Sequence, residues 1–189
     1  MAMMDRIKGM LLAPRAEWPK VAAEPATVQS IYTGWIMLLG LIGPVIALAL
    51  MASAPAVGIT FAVGEYVNTL VGVAIAALIA DVIAPSFGGT RDYVASLKLV
   101  AYAATAAWIA SIALIIPILG PLVMLAGAIY SVYLLYLGVP GYLGLAAASW
   151  LHVAPTWLEV FAAAWGPVAG VVVAILFIRE WRAAILLKP

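Results

Sequence analysis

Three polar residues stand out inside the apolar stretch 57–84: Glu65, Asn68 and Asp81. A charged side chain at the centre of a bilayer costs at least about 2.5–3.5 kcal/mol, so such residues usually face protein or water. Glu65 and Asn68 are three positions apart and share a helix face, so a carboxylate and an amide there could together coordinate a cation or relay a proton. The plainer alternative puts Glu65 at the headgroup level, its side chain snorkelling out of the hydrocarbon. Asp81, close to the next turn, fits that alternative better still. A second group, Arg91, Asp92 and Lys98, is placed to touch lipid phosphates or a partner, with Asp92 in a first-turn position that favours negative charge. Ordinary anchoring by positive loops explains the same residues. Ser149 and His152 are three apart, yet no acidic third member or nucleophile-elbow glycine pattern accompanies them. Gly88-Gly89 lacks the strand, the lysine and the spacing of a phosphate cradle. With no cysteine and a single histidine, thiolate zinc, iron–sulfur clusters and a histidine metal site drop out. No catalytic residue, metal or cofactor is expected, and the chain does not read as an enzyme.

The elements that must position these groups follow from composition. Hydrophobic residues make up 67% of the chain and charged ones 9%, against about 25% charged in soluble domains, and the mean hydropathy is +1.18. A soluble fold could not cover so much apolar surface. The formal net charge of +1 gives no field that would attract nucleic acid. The reading is all-α: a polytopic transmembrane helical bundle over 31–178, preceded by an N-terminal segment at 1–30 and followed by a short tail at 179–189.

Residues 1–30 interleave Asp5, Arg6, Lys8, Arg15, Glu17, Lys20 and Glu24 with Ile7, Met10, Leu11, Leu12 and Trp18. That mixture describes an amphipathic segment lying in the membrane interface, broken up by Pro14, Pro19 and Pro25. Spans are expected at about 31–52, kinked at Gly43-Pro44, within 57–84, at 94–116, from the Pro117–Pro121 turn to Gly138, and at 160–178. The 117–121 connection makes the third and fourth spans an antiparallel hairpin. Residues 139–157 leave only about 13 uninterrupted apolar positions, short for a crossing of roughly 20. Five spans are expected on length. Six are favoured by charge, because an even number puts every Lys and Arg on one side when the N-terminus is cytosolic. Gly166 and Gly170 have the Gly-x-x-x-Gly spacing of close helix packing, within one bundle or between two copies.

Several segments in order carry a family likeness: Ala84-Pro85-Ser86-Phe87-Gly88-Gly89, then Leu97-Lys98-Leu99-Val100-Ala101-Tyr102, Trp108, Ile116-Pro117-Ile118-Leu119-Gly120, and Tyr130 through Gly138-Val139-Pro140. The lead-in Pro14-Arg-Ala-Glu-Trp18-Pro-Lys-Val-Ala-Ala-Glu24-Pro25 followed by Tyr32 looks like that of the prokaryotic branch. Together they resemble the Yip family of Ypt/Rab-interacting proteins, which has bacterial and archaeal relatives. The resemblance implies a five-span helical bundle with a cytosolic N-terminus. Eukaryotic members organise early secretory membranes and bind prenylated Rab-type GTPases and one another. A bacterial relative has no Rab cycle, so that role does not transfer. The expectation is a non-catalytic protein of a prokaryotic cytoplasmic membrane, acting in membrane organisation or in protein and lipid interaction, with membrane lipids, another membrane protein or a second copy as partners. The alternative is a small transporter or channel using Glu65, Asn68 and Asp81.

Overall fold

A chain this apolar must satisfy its backbone polar groups internally, and among the described residues the answer is helix throughout. The computed structural model describes residues 3–87 and 89–143, which lie within one unit, Met1–Leu151. Four helical stretches there are long and apolar enough to cross a membrane: Val28–Leu50, Pro55–Ser86, Tyr93–Ile115 and Leu119–Val139. They correspond closely to the first four expected spans. The expected short crossing within 139–157 lies largely, and the span at 160–178 with Gly166 and Gly170 wholly, outside the described residues.

The first span opens on a reciprocal cap: Ser30 N donates to Thr27 Oγ1 at 3.1 Å and Thr27 N to Ser30 Oγ at 2.9 Å. A π-helical turn follows at Tyr32–Ile36, and this widened turn accompanies a register in which Ile31, Trp35, Ile36 and Leu39 are all buried. The span then breaks at Gly40–Leu41 before resuming as Ile42–Leu50. The break sits one turn ahead of Pro44, as expected when proline cannot donate to the carbonyl four residues earlier. At that break the Tyr66 hydroxyl of the second span donates to the Met37 carbonyl at 3.1 Å.

The third span is the hub. It packs against the first, second and fourth spans, and 56% of its most apolar window is buried against 28–33% in the other three. Asp92 caps it, accepting from Ala95 N at 3.0 Å. It is interrupted at Ala104, and the Ala107 N–H instead donates to Ser131 Oγ of the fourth span at 3.0 Å. Beside it Trp35 Nε1 donates to Thr105 Oγ1 at 3.1 Å, and the Trp35 ring lies 4.4 Å from that of Tyr102.

The tight hairpin expected between the third and fourth spans is present. Ile118 takes a left-handed conformation (φ 68), uncommon for a β-branched residue. Gly120 then passes so close to the preceding span that a methyl group on it would meet the Ala113 carbonyl oxygen at 2.5 Å. The fourth helix continues through Pro140 to Leu143.

Ahead of the bundle stand two short helices, α1 (Met3–Leu12) and α2 (Pro14–Ala23). Pro14 occupies the first turn of α2, where its missing N–H is harmless, and Pro19 is accommodated inside it. Of the three expected breakers, only Pro14 and Pro25 lie at helix boundaries. The two helices pack on each other and against the third and fourth spans.

Candidate functional site

All three polar residues of the second span lie on one helix, Pro55–Ile83. Asp81 is sixteen positions from Glu65, about 24 Å along the axis, so it does not converge with the other two. Glu65 is half-buried, whereas Asn68, three residues on, is exposed. The carboxylate of Glu65 occupies the space that a side chain at Gly43 would need: a methyl group there would meet Glu65 Oε1 at 2.5 Å. One turn further, Thr69 packs over Gly40, where a methyl group would meet Thr69 Cγ2 at 2.9 Å. The absent side chains of Gly40 and Gly43 therefore let the first two spans approach closely where the first is broken. Among the described residues Glu65 has no hydrogen-bond or ion-pair partner. Asp81 Oδ1 is buried and likewise unpaired there. No group of three His, Cys, Asp or Glu that could hold a metal occurs among the described residues.

Charge is concentrated at the N-terminal helices. Arg6 and Glu17 face each other from α1 and α2, Nη1 to Oε1 at 2.8 Å, with both side chains about 5% exposed. Arg6 Nη2 also pairs with the Glu24 carboxylate, and Lys20 Nζ reaches Glu17 Oε2 at 2.9 Å. Gly9 makes room for this cluster, since a methyl group there would meet Glu17 Cδ at 2.6 Å. Burying one ion costs several kcal/mol; here each buried charge has an opposite charge in contact.

Lys98, Trp18 and Tyr130 help tie this pair of helices to the bundle. Lys98, 6% exposed, donates through Nζ to the Glu24 carbonyl at 2.6 Å, which sets an ammonium at the negative end of α2. The ring of Trp18 lies over Gly138, where a methyl group would meet Cζ2 at 2.7 Å and Leu99 Cδ1 at 2.6 Å. Tyr130 donates its hydroxyl to the Leu11 carbonyl at 2.8 Å.

The expected contact group divides accordingly: Arg91 is exposed, Asp92 caps a helix and Lys98 is buried under α2. Arg6, Glu17, Lys20 and Glu24 acquire a joint role that their reading as separate surface charges missed. The available signal was the three- and four-residue spacing of Glu17, Lys20 and Glu24, with Arg6 among the charges on the other side of Pro14.

Membrane-length apolar helices gathered around a central third, with a charged helical pair docked at one end, define an integral membrane protein of the helical-bundle class. The Yip1 domain family model matches residues 8–165, and the chain belongs to that family. The match begins inside α1 and takes in the whole of α2. Neither a curated protein nor a solved structure matches the chain.

Proposed function

We propose that the protein is a non-catalytic member of the Yip type that organises membrane or binds protein and lipid partners. The observation that carries this reading is the ionic cluster of Arg6, Glu17, Lys20 and Glu24. Its charges hold α1 and α2 together as one structured element, which Lys98, Trp18 and Tyr130 fix onto the bundle. Of the polar residues of the second span, Glu65 is half-buried against Gly43, Asn68 is exposed, and Asp81 lies about 24 Å along the helix from Glu65. The membrane proposed is a prokaryotic cytoplasmic one, and a cytosolic N-terminus is supported by Arg6, Lys20, Arg91 and Lys98, which lie toward the end of the bundle where the first and third spans begin. Partners of the expected kinds are lipids, another membrane protein or a second copy.

Reconstitution into sealed vesicles tests the proposal. Tracer uptake of monovalent cations and protons no greater than in protein-free vesicles, together with recurrent cross-linking to one membrane protein in native membranes, is the expected result. Uptake that disappears in Glu65→Gln would overturn it in favour of transport.

A further inference from the structure

We infer that α1 and α2 enter the bilayer tip first, so that the turn joining them sits among the acyl chains of one leaflet rather than on its surface. This rests on the integral-membrane reading and deepens it by naming the partner of one segment.

The base of the helical pair is fixed by Lys98, Glu24 and Trp18 beside Gly138, near the start of the third span and the end of the fourth. The tip is fixed elsewhere. Leu11 is bonded to Tyr130, nine residues before the end of the fourth span at Val139, about 13 Å along the helix. Independently, α1 packs against Thr105–Ala110, which begins twelve residues, about 18 Å, after the third span starts at Tyr93. With a hydrocarbon core about 30 Å thick, the Tyr130 contact places the tip inside it, even allowing for the reach of that side chain, and the second contact places α1 at a similar level.

The turn is chemically suited to that level. Met10-Leu11-Leu12-Ala13-Pro14 carries no charge, and Leu12 is 83% exposed. Its backbone is largely occupied: Ala13 N donates to Gly9 O at 2.9 Å, and Ala16 N and Glu17 N donate to Ala13 O at 3.0 and 3.1 Å. Leu11 O accepts from Tyr130, and Pro14 has no N–H to satisfy. Lipid demands that kind of closure. Lys8 and Arg15, the nearest cations, are exposed on stems long enough to carry their charges toward the headgroups.

The chain contains no cysteine, so single labelling sites are available without background. We would place a fluorophore at Leu12→Cys, at Ala23→Cys on the exposed base of α2, and at Val71→Cys on the exposed middle of the second span. Each full-length variant is reconstituted in phosphatidylcholine–phosphatidylglycerol vesicles bearing a nitroxide either in mid-chain or on the headgroup. The expected result is that Leu12 and Val71 labels lose more fluorescence to the mid-chain nitroxide, and the Ala23 label more to the headgroup one. A Leu12 label behaving like Ala23 while Val71 remains deep overturns this inference alone. A Val71 label that is also shallow overturns the membrane reading beneath it.

Discussion

Arg6 is the residue whose replacement should reveal most. In Arg6→Met the buried Glu17 carboxylate keeps only the exposed Lys20, and breaking a buried pair by removing one partner costs about 3–5 kcal/mol. We expect a lower unfolding midpoint and faster protease cleavage between Leu12 and Lys20. The double variant Arg6→Met, Glu17→Met should recover part of that loss, because no buried charge is then left without its partner; a double variant as unstable as the sum of the singles would contradict the pairing. Gly138→Ala tests the same docking without touching charge. Its methyl group meets an aromatic ring and a leucine, both buried, so an overpacking cost of about 1–3 kcal/mol is expected, read as the same increase in cleavage of α2. At this scale the sequence was least legible. Glu65 and Asn68 share a helix face by spacing, yet one is drawn to Gly43 and the other left exposed, because the neighbouring span is broken at Gly40–Leu41. Lys98 read as a loop-side anchor, and only the tertiary approach of α2 makes it a buried donor.

Elements were far more legible, because a membrane-length apolar run allows few alternatives to helix. The span expected at 94–116 is observed at Tyr93–Ile115, and the charge-free Pro117–Pro121 turn folds as the hairpin its prolines and glycine suggest. The kink expected at Gly43-Pro44 appears at Gly40–Leu41, one turn earlier, where the hydrogen bond that proline cannot make is missing. The N-terminal segment departs further. Its composition predicts an interfacial helix broken by three prolines, whereas Pro14 starts a helix and Pro19 sits within it. Nothing in local spacing says that two short helices will fold back against spans a hundred residues away. The interruption of the third span supplies a prediction at this scale. Ser131→Ala removes the acceptor for the buried Ala107 N–H, and an unsatisfied buried donor costs about 1–3 kcal/mol. We expect this as a lower thermal midpoint in detergent micelles, restored largely by Ser131→Thr if the hydroxyl alone matters.

For the whole molecule, the uneven burial of the spans has a measurable counterpart. Leu97 in the third span is fully buried, while Val71 in the second is 50% exposed. Leu97→Ala should destabilise the bundle by about 2–5 kcal/mol through the cavity it leaves. Val71→Ala should change stability by no more than about 0.5 kcal/mol, since lipid fills the space of the missing methyl groups. Unfolding by sodium dodecyl sulfate in mixed micelles compares them directly, and equal losses would argue against a central third span. The docking of α1 and α2 also has a consequence for the order of events during synthesis. Leu11 leaves the ribosome 119 residues before the Tyr130 that holds its carbonyl, which at 5–20 residues per second is a wait of roughly 6–24 s. This segment thus cannot find its place until the fourth span has been made, and until then its apolar turn and ionisable side chains stay open to chaperones, insertion machinery and proteases.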